Sequence, residues 1–138
     1  MNWMRFALAV LAAGVGSSLT DWFFGGVLFH EKYKTYSEIW RRPQGGPGES
    51  QAIAWATALG FFTCAVFAYA CARLHLSTYA GTLKLGVAVW LMAPLPMSVT
   101  NALWMKYHPL NAFAHVLGWL AKFVVAALAV AWILTSRM

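Results

Sequence analysis

The sequence predicts an all-α integral membrane protein, and three observations lead to that prediction. Of the 138 residues, 61% are hydrophobic and 10% are charged, whereas soluble domains average about 45–50% and about 25%. An aromatic content of 16% excludes a disordered chain, because such chains avoid collapse by having few aromatic residues. Four apolar stretches are each long enough to cross a bilayer.

The four predicted spans cover residues 3–29, 51–74, 83–105 and 111–135. The remaining segments are short, so residues 1–138 form a single transmembrane domain. Short connections favour antiparallel neighbours and hence a four-helix bundle. An even number of spans places both termini on one face, side A, and the loops 30–50 and 106–110 on the other, side B. In the first of these loops, Thr35 and Glu38 fit a capping box, which predicts a short interfacial helix.

The net charge of +6 indicates contact with anionic lipid headgroups rather than nucleic acid, since nearly all of the ten Lys and Arg residues are spread over loops and span ends and they form no patch. Four cations near side A against five near side B leave the orientation undecided. All four acids lie in or near the side B half of the chain: Asp21, Glu31, Glu38 and Glu49. A functional site is therefore expected to face side B.

Asp21 and Lys122 are the two ionisable residues placed well inside spans, where a charge costs about 2.5–3.5 kcal/mol. The 1.5 Å helical rise puts them about 12 Å and about 16 Å from side B. Each lies on a stripe of small and polar residues, which predicts that the two helices approach closely and that the charges form a salt bridge. The stripes are Gly14, Ser18, Asp21 and Gly25 in the first span and His115, Gly118, Lys122 and Ala126 in the fourth. Such a pair is either a device that fixes helix register or part of a functional site.

The third span contains Pro94 and Pro96, followed by polar side chains. Proline removes backbone donors and kinks a helix, which opens space beside the kink. We expect either a polar cavity facing side B or a hydrogen bond from Asn101 across a helix interface. The polar candidates for that cavity are Thr57, Thr63, Ser98, Thr100 and Asn101.

The sequence predicts no cofactor. His30, His108 and His115 are weak candidates for a metal site, because their spacing matches no short-range ligand signature. No nucleophile constellation, glycine-rich phosphate loop or catalytic carboxylate pair is visible. Cys64 and Cys71 are seven residues apart on one predicted helix face, about 10 Å from each other and too far for a disulfide, so they are interpreted as small packing residues.

Three segments resemble a family of small bacterial membrane proteins that is catalogued as a domain of unknown function, number seventeen sixty-one. They are the opening Met1-Asn-Trp3, the run Asp21-Trp-Phe-Phe-Gly-Gly-Val-Leu-Phe29, and the pattern His115-x-x-Gly118-Trp-Leu-x-Lys122. The family's first span typically ends in a Trp-Tyr-Ser-Pro-like turn, which this chain lacks. The resemblance implies the four-span membrane class and no catalytic residues.

The leading functional hypothesis is a non-enzymatic protein of the cytoplasmic (inner) membrane, acting as an accessory subunit or as a bundle that binds a lipid or small molecule. Its expected partners are membrane lipids, and either further copies of the chain or a larger membrane complex. One alternative is a proton-coupled or small-solute transporter that uses Asp21, His115 and Lys122. A second is a membrane enzyme acting on a lipophilic substrate. Further candidates for binding or relay are Ser18, Thr100 and Asn101.

Overall fold

The computed structural model describes residues 2–31, 46–106 and 108–135, and in these ranges the protein is an all-α bundle without β-strands. Four helical spans are long and apolar enough to cross a membrane: Trp3–Leu28, Glu49–Arg73, Tyr79–Trp104 and Pro109–Leu134. They are built from helices α1 (Trp3–Asp21), α2 (Glu49–Arg73), α3 (Tyr79–Met92), α4 (Pro94–Trp104) and α5 (Pro109–Thr135), with a π-helical segment at Trp22–Leu28. The predicted membrane class and all-α fold are confirmed.

The ends of the spans lie within four residues of their predicted positions. The largest difference is at α3, which begins at Tyr79 rather than at 83 because the Thr78 side chain caps it by accepting a hydrogen bond from the Gly81 amide. The Thr35–Glu38 capping box and its predicted interfacial helix lie outside the described residues.

The first span consists of an α-helix that widens into a π-helix. Asn2 caps the start of α1, where its Oδ1 accepts hydrogen bonds from the Met4 and Arg5 amides. After Asp21 the hydrogen bonding lengthens, and the segment ends with the Phe29 amide donating to the Phe24 carbonyl, five residues back. A π-helix is rare and is frequently found at functional sites. Here it follows the one acidic residue of α1.

The third span is broken at Ala93, as the two prolines predict. Ala93 has φ −131° and ψ −65°, which ends α3, and Pro94 opens α4 at a position where its missing amide costs no helical hydrogen bond. The indole nitrogen of Trp90 donates to the Val116 carbonyl at 2.9 Å. This bond ties the last turn of α3 to α5.

Helix α5 is the central element of the bundle. It packs most extensively on α1 and α3, less on α4 and least on α2. In its most apolar stretch of 18 residues, 44% of the residues are buried, whereas the corresponding share is 22% in each of the other three spans. Small side chains allow this close packing: Ala9, Ala13, Ala126, Ala127 and Ala131 are all buried. The fourth span therefore positions whatever side chains it presents to the other helices.

Candidate functional site

Asp21 and Lys122 form the salt bridge that their positions in the sequence predict. The Nζ of Lys122 lies 2.7 Å from Oδ2 of Asp21, which is the distance of a charge-assisted hydrogen bond. The two partners differ in exposure: the Lys122 side chain is 7% exposed and the Asp21 side chain is 50% exposed. The predicted pair is therefore present with the lysine as its buried partner, and Asp21, the last residue of α1, borders an open groove.

The Lys122 ammonium has neighbours in three helices, α1, α2 and its own helix α5. Its ammonium lies 4.5 Å from the centroid of the Trp119 ring, a cation–π contact within α5. Helix α2 also lies close to the ammonium: a Cβ atom built at Gly60 would be 3.9 Å from Nζ. Desolvating an ammonium costs several kcal/mol, and the carboxylate together with the aromatic face offsets part of that cost. Neither the Trp119 contact nor the nearness of Gly60 was predictable from the helical spacing alone.

The groove beside Asp21 lies between the end of the first span and the start of α2, and has a volume of about 550 Å³. We call it the Asp21 groove. Its lining comprises Ser18, Asp21, Trp22, Gly25, Gly26, His30, Glu49, Ile53, Ala56 and Thr57. Two carboxylates therefore border one apolar-walled space. Glu49 was counted among the side B acids in the sequence, but which helix it would face was not predicted.

The π-helical segment shapes this groove. Gly25 and Gly26 both lie in it and both line the groove, and a Cβ atom at Gly25 would meet nothing within 4 Å. The wider helix and the absent side chains leave space directly after Asp21. The Gly-Gly pair was a visible signal in the sequence, but π-helices are too rare for such a pair to predict one.

The predicted close approach of the first and fourth spans is confirmed, since α1 packs extensively on α5 and Asp21 contacts Lys122, but the small residues of the first stripe do not all face α5. A Cβ atom at Gly14 would collide with the ring of Phe61 in α2, and it is Gly16 that faces α5, at Val125. One helical turn before Asp21, Ser17 Oγ and Cys64 Sγ lie 3.3 Å apart in the core between α1 and α2. The stripe that contains Gly14 and Asp21 thus turns toward α2 and the groove, and Lys122 reaches Asp21 by the length of its stem. Cys64 and Cys71 are both free and buried, in agreement with a packing role.

The other candidate residues are divided between the groove and the rest of the bundle. Ser18 lines the groove, and its Oγ donates to the Gly14 carbonyl at 2.9 Å. His115 is exposed on α5 and close enough to Asp21 for an electrostatic interaction. Thr100 and Asn101 belong to α4 and are not among the described residues that line the groove. The Asp21 groove thus lies between the first two spans, whereas α4 packs on α3 and α5.

The three histidines considered for a metal site are spread over separate places. His30 lines the groove, whereas His108 precedes α5 and its Nδ1 accepts a hydrogen bond from the Leu110 amide at 3.1 Å. Within residues 2–31, 46–106 and 108–135, no three His, Cys, Asp or Glu side chains are grouped closely enough to hold a metal ion. Another polar residue that the sequence analysis passed over is Asn111, which is fully buried near the start of α5.

Comparison with protein families gives one match. Residues 8–131 match the model of the family described as "Protein of unknown function (DUF1761)". This range includes Asp21, Lys122 and every helix except the outermost turns of α1 and α5. Comparisons with curated proteins and with solved structures find no match.

Proposed function

The chain belongs to the DUF1761 family of proteins of unknown function, and from its geometry we propose that it is a non-enzymatic membrane protein that binds an amphiphilic small molecule or lipid in the Asp21 groove. One observation carries this proposal. Asp21 is fixed through Oδ2 by a buried lysine, yet half of its side chain is exposed to the groove. The exposed part of the Asp21 side chain is therefore accessible to a ligand in the groove while the salt bridge stays intact.

The groove lining favours a cationic head group on an apolar chain. Asp21 and Glu49 supply two carboxylates, which attract an ammonium. Trp22 adds an exposed indole for a cation–π contact, and Ile53 and Ala56 supply an apolar wall. A volume of about 550 Å³ falls in the range of small-molecule sites, about 300–1,000 Å³.

The test is lipid retention by the purified full-length protein in detergent, measured by native mass spectrometry. Phosphatidylethanolamine, which carries an ammonium head, is compared with phosphatidylglycerol, which does not. We expect Asp21→Asn to lower phosphatidylethanolamine occupancy about tenfold, the value of one charge-assisted contact. Glu31→Gln is the matched control, because Glu31 is at the same end of the first span but is not among the groove residues. Equal retention by wild type and Asp21→Asn contradicts the proposal.

We further propose that the protein acts as an accessory subunit in the cytoplasmic membrane, with both termini on one side, assembled with copies of itself or with a partner. Support comes from the large apolar side chains that the bundle leaves exposed, among them Trp55, Phe62 and Trp132, although lipid also covers such surfaces. Cross-linking in native membranes tests this: a product larger than the 15.2 kDa chain supports assembly, and a monomer alone contradicts it.

A transporter is the second candidate, because a salt bridge links the groove to α5. Asp21 borders the groove and contacts Lys122 directly, so a proton or solute at the groove would alter the charge environment of the central helix, where His115 completes the proposed relay. Proteoliposomes that carry wild-type protein would then show a proton flux that Asp21→Asn abolishes. Flux that persists unchanged in that variant excludes the relay.

A further inference from the structure

A second polar pocket lies at the opposite end of the first span from the Asp21 groove. It has a volume of about 610 Å³ and is formed where the start of α1, the end of α2 and the end of α5 meet. Its polar residues are Asn2, Arg5, Arg73, His75 and Ser77. We call it the basic pocket. It shares no lining residue with the Asp21 groove.

Among the described residues, no acidic side chain lies at the basic pocket. None of its lining residues is acidic, and all four Asp and Glu residues of the sequence lie between positions 21 and 49. Within the described part of the chain, the Arg5 and Arg73 side chains form no ion pair. Guanidinium is the side chain whose fork matches phosphate, so two guanidinium groups lining one pocket offer an anion two sets of charged donors.

His75 occupies a backbone conformation that favours glycine. Its φ is 55°, the one positive φ at a non-glycine residue in the described chain. It ends α2 in a Schellman motif, in which the Leu76 amide donates to the Cys71 carbonyl at 2.9 Å and the His75 amide to the Ala72 carbonyl at 3.3 Å. Glycine is the usual residue at this position, and strain retained by another residue points to a functional role. The imidazole of His75 lines the basic pocket.

We propose that the basic pocket binds a phosphate group, held by Arg5 and Arg73 with His75 and Ser77 as further donors. Its position favours the headgroup of an anionic phospholipid as the source of that phosphate. The pocket lies at the ends of three candidate spans, and Phe6, Ala72 and Leu134 give it an apolar side. Basic pockets between helices at a membrane surface are typical sites for anionic headgroups.

The experiment measures occupancy of the purified full-length protein by phosphatidylglycerol and by phosphatidylcholine, using native mass spectrometry. We expect phosphatidylglycerol to be preferred about tenfold, and Arg5→Gln or Arg73→Gln each to lower its occupancy about tenfold, because each removes one charged contact. Lys84→Gln is the matched control: Lys84 is an exposed cation of α3 that does not line the pocket. That variant retains the wild-type preference.

His75→Gly separates binding from folding. Glycine relieves the left-handed strain, so this variant remains folded, while loss of the imidazole lowers phosphatidylglycerol occupancy about threefold.

A parallel titration with inorganic phosphate distinguishes the two sources of the anion. Phosphatidylglycerol binding that depends on the arginines, without phosphate binding, establishes a lipid site. Phosphate binding with the same arginine dependence establishes a site for a free phosphate compound. If neither probe responds to Arg5→Gln or Arg73→Gln while both variants unfold at the wild-type temperature, the proposal is overturned.

Discussion

The two ends of the first span handle charge in opposite ways. At the Asp21 groove, a carboxylate is compensated from inside the protein by Lys122 of the central helix. At the basic pocket, Arg5 and Arg73 have no ion-pair partner among the described residues. The salt bridge at the Asp21 groove makes its charge part of the packing of α1 on α5. The charges of the basic pocket are instead solvated by water or bound by a ligand.

This difference separates stability from binding. Removing one partner of the Asp21–Lys122 pair leaves the other charge in a place where water does not fully hydrate it. Removing an arginine of the basic pocket leaves no poorly hydrated charge of opposite sign behind. Substitutions of the Asp21–Lys122 pair should therefore change both folding and ligand retention, whereas substitutions of Arg5 or Arg73 should change ligand retention alone.

The largest expected effect on stability is that of Asp21→Asn. Loss of a buried pair's partner costs about 3–5 kcal/mol, and the half-exposed Asp21 reduces this to about 2 kcal/mol. Lys122→Met in the same chain should recover part of the loss, because the double change removes both charges and keeps apolar contact with Trp119. Unfolding titrations of the wild type, the two single variants and the double variant give the coupling energy. A coupling energy of zero would contradict an energetic link between the two side chains.

A smaller effect distinguishes the two faces of the first span. A Cβ atom at Gly16 would lie 2.5 Å from Cγ1 of Val125, so Gly16→Ala should cost about 1–2 kcal/mol by overpacking the α1–α5 contact. Gly25→Ala places its methyl group in the open groove and should stay within about 0.5 kcal/mol of wild type. Thermal unfolding of both variants makes the comparison, and equal losses would show that the two faces are packed alike.

At the basic pocket no loss of stability is expected. Arg73→Gln should change the free energy of unfolding by less than about 0.5 kcal/mol, because an exposed charge without an ion-pair partner adds little to folding. His75→Gly should raise it by about 1 kcal/mol by removing left-handed strain. Both are measured in the same unfolding titration. A clear loss of stability in either variant would mean that this end is also connected to the core.

The fold was predictable from the sequence because span length and apolarity are imposed by the bilayer rather than by the neighbouring helices. The helix break before Pro94 was predictable for a similarly local reason, the missing amide of proline. The salt bridge followed from two charges placed at nearly equal depth in two spans. Each of these inferences needs only positions along the chain.

The groove was not predictable, because it depends on which helices are neighbours. The small-residue stripe of the first span fits α2 or α5 equally well in the sequence, and only the packed bundle places Gly14 against Phe61 and Gly16 against Val125. Two backbone conformations were also unpredictable because they are uncommon for the residues that adopt them: the π-helix after Asp21 and the left-handed conformation of His75. Both occur beside a pocket, where local rules are most often broken.

The most direct test of the contrast between the two ends is a crossed lipid-binding measurement on one set of variants. Asp21→Asn and Arg73→Gln are each titrated with phosphatidylethanolamine and with phosphatidylglycerol in native mass spectrometry. Two independent sites of opposite charge predict that Asp21→Asn loses about tenfold in phosphatidylethanolamine occupancy only, and Arg73→Gln about tenfold in phosphatidylglycerol occupancy only. Equal losses of both lipids in both variants, or no loss in either variant, would contradict two independent sites of opposite charge.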